Sequence, residues 1–243
     1  MPNHIQNILE ITATSKNELQ NFLSFIKGKE DDYERHIDFN NIVPMPNEIR
    51  NTESSTTTDL GIYYYLYKTE QLDLLSLIFR YVPSYTPDFV SKKTAEELET
   101  MFKQGEHYVN NYKQFGAKDW YDWSNANWGT KWNAYKTDIC LSLDETNATI
   151  RFQTAWNGVP HLIGILTEKF PNLIFQYDYA DEDASYNCGS GFGQDGEFSF
   201  NILEGGSNEA MEHYIRCWGY EDDYYKDENG NWCYRDEEDW EDE

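Results

Sequence analysis

Histidine and cysteine are the residue types best suited to acid–base, nucleophilic or metal chemistry, and in this chain of 243 residues their spacing supports none of it. His4, His36, His107, His161 and His213 form no H-x-x-H, H-E-x-x-H or Cys/His zinc pattern. Cys140, Cys188, Cys217 and Cys233 are widely separated and make no C-x-x-C pair, so they read as free thiols. Cys140 falls in an alternating strand pattern and is expected to be a packing residue. There is no G-x-S-x-G nucleophile elbow. The glycine-rich "CGSGFGQDG" at 188–196 is followed by a strand where a phosphate loop needs a helix N-terminus, has no lysine at hand, and reads as a loop leading into a strand. "DENGNWCYRDEE" puts Asp227, Asn229, Asn231 and Glu238 at four calcium-loop positions. Trp232, however, stands where glycine is required, and Arg235 where a ligand is required. No catalytic residue, metal ligand or cofactor is assigned, and the expectation is a protein that is not an enzyme, with an enzyme of a type that has no short motif as the remaining alternative.

Two other segments carry recognition chemistry. "GAKDWYDWSNANWGTKWNAY", Gly116 to Tyr135, holds Trp120, Trp123, Trp128 and Trp132, with Lys118, Lys131 and Lys136 close in sequence. These rings either wedge a helical region against strands or offer Trp120, Trp123, Trp128, Trp132 and Lys131 as a stacking site for a small ligand. The second segment is the acidic C-terminal region. Glu221, Asp222, Asp223, Asp236, Glu237, Glu238 and Asp239 are interleaved there with Tyr224, Tyr225, Trp232 and Trp240. Carboxylates on an ordered scaffold imitate nucleic-acid phosphates, and aromatics among them supply contact area, so these eleven residues are the candidate partner surface. Asn229-Gly230 predicts a hairpin turn within it.

The whole chain is strongly acidic, with 44 Asp and Glu against 19 Lys and Arg and a formal net charge of -25. That charge argues against direct binding to nucleic acid or to an anionic membrane, and favours a basic or nucleic-acid-binding protein as partner. No apolar run approaches a membrane span, and "MPNHIQNILEI" lacks the basic and apolar regions of a signal peptide, so a cytoplasmic location is expected. Nothing in the sequence sets the oligomeric state.

Periodicity supplies the frame for these residues. Ile5, Leu9 and Ile11 alternate as a strand, and Ser15 with Glu18 opens a helix carrying Leu19, Phe22, Leu23 and Ile26. "HIDFNNIVPMP" reads as a second strand. Residues from about 60 to 127 read as a helical insertion, with a capping box at Thr94 and Glu97. Ile139, Leu141 and Leu143, then Ile150, Phe152 and Thr154, alternate as a hairpin; Pro160 opens a second helix, and "PNLIFQYDY" and "GEFSFNIL" are strands. Met211, Tyr214, Ile215 and Trp218 suggest a late helix. Without the insertion this order is the βαββαβ of an α+β, ferredoxin-like domain with an antiparallel sheet and helices on one face. The expected organisation is a ferredoxin-like domain over 1–203, inserted at about 60–127, and an acidic aromatic extension over 204–243.

"MPNHIQNILEI", "IDFNNIVPMPNEI", "FGAKDWYDWSNANWGTKWNAY" and "FQTAWNGVPHLIGILTEKFPNLIF", in that order, resemble the YubB-like ferredoxin-like proteins of bacterial plasmids and phages. The resemblance spans roughly Met1 to Tyr179 with a gap over the insertion. It implies a fold and a mobile-element setting, and brings no activity, cofactor or catalytic residue. The acidic region lies outside it. A nucleic-acid mimic that blocks a host defence or DNA-processing protein is the sharpest form of the resulting expectation.

Overall fold

The computed structural model describes residues 2–29, 34–81 and 87–235. In chain order the elements are β1 (His4–Thr12), α1 (Lys16–Ile26), β2 (Gly28–Lys29), β3 (Glu34–Arg35), α2 (Phe39–Ile42), α3 (Asn47–Arg50), α4 (Thr56–Lys68), α5 (Leu75–Ile78) and α6 (Ala95–Phe115). There follow α7 (Trp120–Asn127), β4 (Tyr135–Leu141), β5 (Asn147–Ala155), α8 (Pro160–Lys169), β6 (Ile174–Asp181), β7 (Cys188–Gln194), β8 (Glu197–Ile202), α9 (Asn208–Trp218), β9 (Tyr224–Lys226) and β10 (Trp232–Tyr234). The chain divides into two compact units: Met1–Pro44 with Trp128–Glu243, and Met45–Asn127.

The first unit is built on one sheet with strand order β4-β5-β1-β6-β7-β8, every neighbouring pair antiparallel. The four strands β4-β5-β1-β6, with α1 after β1 and α8 between β5 and β6, make the ferredoxin-like arrangement. Its second strand is β4, after the helical unit. "HIDFNNIVPMP", residues 36–46, supplies α2 and no strand; the short β3 ends just before it, at Arg35. The Asp38 side chain accepts from the Asn40 amide and caps a helical turn. Phe39 is then buried, its ring 5.8 Å from Trp128 and 6.1 Å from Phe152.

β7 is also a correction, because the glycine-rich stretch is itself a strand. A Cβ at Gly191 would lie 2.4 Å from the Phe198 ring, and one at Gly193 2.4 Å from Thr167 of α8. The glycines leave room on the pleat for rings and a helix that come from elsewhere.

Ile5, Leu9 and Ile11 of β1 face α1 and α8, where Phe22 lies 5.4 Å from Phe175 and 5.2 Å from Phe170. The other face carries Ile8, Ala180 and Cys188, which pack with Ala210, Tyr214, Ile215 and Cys217 of α9. Helices therefore lie on both faces of this sheet, not one. Apolar burial of this kind contributes about 1.5–3 kcal/mol for each large side chain.

The second unit is helical and begins at Met45. α4 and α6 approach backbone to backbone, since a Cβ at Gly105 would sit 2.0 Å from the Gly61 carbonyl oxygen. Ile62, Leu66, Leu75, Phe79, Tyr108 and Val109 form its core. Thr94 and Glu97 close a capping box on α6, and Gly116 at φ 73° ends it.

Candidate functional site

α9 holds the C-terminal region in place. Ser207 caps its start, accepting from the Ala210 amide, and Gly219 at φ 75° ends it. On its sheet-facing side His213 Nε2 lies 2.9 Å from Asp178 Oδ1, and Arg216 pairs with the other oxygen. Asp178 is only 2% exposed, and a carboxylate so buried persists only when paired. Arg151 Nη1 donates to the Cys217 carbonyl at 3.4 Å, and Trp218 Nε1 to the Asp181 carbonyl at 3.0 Å.

From this anchored helix the chain enters the β9–β10 hairpin. Its turn is closed by Asp227, whose Oδ1 accepts from the Asn231 amide at 2.8 Å and the Asn229 amide at 2.9 Å, with Gly230 at φ 81°. Those hydrogen bonds, Asn231's first, hold the Asp227 carboxyl below its ordinary range. The register pairs Tyr224 with Tyr234 and Trp232 with Lys226.

The aromatic candidates separate by role. Tyr224 and Trp232 pack against the α9 cluster, with Tyr224 6.2 Å from the Tyr214 ring, so they anchor the hairpin. Tyr225 and Tyr234 are 39% and 60% exposed. Glu221 and Asp222 are exposed and Asp223 half-buried. The nearby base Lys226 is engaged, at 2.5 Å from Glu212 and over the Trp232 ring. Asp236, Glu237, Glu238, Asp239 and Trp240 lie outside the described residues. Tyr234 was not among the sequence candidates; its place opposite Tyr224, with the two rings 5.3 Å apart, is visible only once the strand register is known.

The four tryptophans do not act as one set. Trp120 and Trp123 belong to α7 in the helical unit; Trp128 and Trp132 belong to the sheet unit. Trp123 and Trp128 are buried, and Trp128 Nε1 donates to the Val43 carbonyl at 3.0 Å. Trp120 is half-buried, and its amide donates to Thr52 Oγ1. Lys118 is buried 2.7 Å from Asp119, 3.2 Å from Asp122 and 3.8 Å from Asp59, so its charge is already matched. Burial pulls its pKa down, but the hydrogen bond and charge of Asp119, with Asp122 and Asp59, outweigh this and raise it. Trp132 is 37% exposed, and Lys131 Nζ sits 4.7 Å from its ring centroid and 5.3 Å from that of Trp156. Trp156 is the residue the sequence reading missed; a tryptophan at the end of β5, just before Asn157-Gly158, was its only mark.

Residues 127–219 match the family model of a ferredoxin-like domain in Api92-like protein. The chain carries a ferredoxin-like domain. Within that domain the match runs from the end of α7 through β4 to β8 and closes at the left-handed cap of α9, so the hairpin lies beyond it. No curated protein matches the chain. Among solved structures, the crystal structure of a protein api92 from Yersinia pseudotuberculosis is similar, at 10% identity and a TM-score of 0.38, over 85% of this chain and 100% of that one.

The thiols of the ferredoxin-like domain are divided by burial. Cys188 and Cys217 are buried, and burial pushes them up to about 11 and about 12. Cys140 is exposed, against the packing role expected for it, because it faces out from the edge strand β4. Among the described residues no group of three or more His, Cys, Asp and Glu could hold a metal ion, and no helix is long and apolar enough to cross a membrane.

Proposed function

We propose that this protein acts by binding a basic protein through the acidic hairpin, without catalysis of its own. The observation that carries the reading is the division of the hairpin's aromatics. Tyr224 and Trp232 are spent on α9, while Tyr225 on the opposite face of the hairpin, and Tyr234 at its end with its ring 5.3 Å from Tyr224, stay exposed near Glu221, Asp222 and Glu228 on an ordered frame. Ordered acids flanking exposed tyrosines suit an arginine-lined surface, because the ring supplies area with little entropy cost and the carboxylates pair bidentately. The net charge of -25 steers such a partner from a distance. In its most specific form, the hairpin imitates nucleic-acid phosphates and occupies the groove of a host defence or DNA-processing protein. The resemblance to YubB-like plasmid and phage proteins supports a mobile-element, cytoplasmic setting for that role.

The test keeps the chain at full length, since removing the hairpin would uncover the α9 cluster. Wild-type protein and a variant carrying Tyr225→Ala, Tyr234→Ala, Glu221→Gln and Asp222→Asn are used to capture proteins from nuclease-treated bacterial lysate. The expected result is a nucleic-acid-binding protein held by the wild type, displaced by competing DNA or RNA, lost in the variant and weakened by salt. A partner that stays bound to the variant, or ignores both salt and nucleic acid, refutes the reading.

A further inference from the structure

Lys131 lies within reach of two indole faces at once, 4.7 Å from the Trp132 centroid and 5.3 Å from the Trp156 centroid. We propose that Trp132 and Trp156 form a cage for an organic cation, which Lys131 occupies as an internal plug and which a guanidinium or quaternary ammonium group from outside can take over. The attraction of a cation to a tryptophan face is the recognition chemistry of such cages.

Three features separate this site from an ordinary lysine lying along one ring. First, Trp156 is held at φ 73°, a left-handed conformation that large L-residues seldom adopt. Its amide donates to the Asn3 carbonyl at 3.0 Å, and its carbonyl accepts from Asn187 Nδ2 at 2.9 Å. Asn187 is itself at φ 46° and bonds the buried Asp181. The ring is therefore presented by an over-determined backbone, the circumstance in which strain marks a ligand clamp.

Second, Tyr135 buttresses the Trp132 wall, its ring 6.1 Å from Trp132 at 72°, and its hydroxyl is tied to His4 Nδ1 at 2.7 Å and to the Thr154 carbonyl at 2.9 Å. Burial and then the charge of Glu182 push the Tyr135 phenol up to about 12, so it stays neutral. Third, Trp132 is 37% exposed, which leaves the site open at one wall.

The site is independent of the hairpin, and its test uses no part of the hairpin. Tetramethylammonium and N-acetyl-arginine methylamide are titrated into full-length wild type, Lys131→Gln, Trp132→Phe and Lys131→Gln/Trp132→Ala at constant ionic strength. Binding is read from the tryptophan indole N–H signals in NMR. Removing an internal competitor raises apparent affinity by the fraction of sites it had filled, here about five- to thirty-fold for Lys131→Gln. Trp132→Phe, which keeps a ring, should retain binding, and the double variant should lose it. A response to tetramethylammonium alone identifies a small quaternary ligand, and one to the arginine derivative a protein-borne cation. Equal affinity in wild type and Lys131→Gln overturns the proposal. So does binding that survives in the double variant, which is the response expected of general attraction to an acidic protein.

Discussion

Asp178→Asn is the substitution that best separates the role of α9 from that of the sheet beneath it. Asparagine keeps the shape of the side chain and one oxygen for His213, and removes the charge that pairs with Arg216. Hydrogen bonds to a charged group contribute about 1.5–3 kcal/mol. The Arg216 side chain is 40% exposed and can rehydrate, so its share is discounted, leaving about 1.5–2 kcal/mol for the change. At 1.36 kcal/mol per tenfold, α9 should open about 10- to 30-fold more often. Amide hydrogen exchange reads this directly: the amides of Asn208–Trp218 should lose protection by that factor, while those of α8, on the opposite face, should not. Because Tyr224 and Trp232 rest on the same cluster, the hairpin amides should lose protection with α9. Unchanged exchange in α9 would refute the claim that the buried carboxylate clamps it, and loss spread equally over the sheet would place Asp178 in the global core instead.

Gly105→Ala puts a Cβ where the Gly61 carbonyl oxygen stands 2.0 Å away, so α4 and α6 must separate. Denaturant unfolding of the helical unit should show a loss at or above the roughly 1–3 kcal/mol typical of overpacking, with Gly61→Ala milder because its nearest neighbour is at 3.2 Å. The thiols give a second check. In native protein at pH 8, Ellman's reagent should titrate Cys140 and Cys233 quickly and spare Cys188 and Cys217, held up at about 11 and about 12, until denaturant exposes all four.

Much of the frame was legible because it depends on neighbours in sequence. Alternation of Ile5, Leu9 and Ile11 specifies β1, Ser15 caps α1, Thr94 with Glu97 starts α6, and Pro160 opens α8. Each is a contest between residues a few positions apart, which spacing alone decides. Where a distant partner decided, the reading failed. "HIDFNNIVPMP" has a strand-like pattern, yet Asp38 caps a turn that buries Phe39 against Trp128 and Phe152. The glycines of β7 look like loop residues until Phe198 and Thr167 are seen filling the space they leave.

The candidate sites divide in the same way. The sequence by itself determined the charge of -25, the turn around Asn229 and Gly230, and the presence of tyrosine and tryptophan among the acids, since these are properties of composition and short range. Only the tertiary structure decided which aromatic rings meet solvent. Tyr224 and Trp232 turn onto α9 while Tyr225 and Tyr234 stay exposed. Trp123 and Trp128 enter cores, and Trp156, from the far end of β5, joins Trp132 around Lys131. The physical reason is that burial of a ring depends on the surface brought to it by folding, and two tryptophans of equal hydrophobicity have no local feature that says which of them will find one.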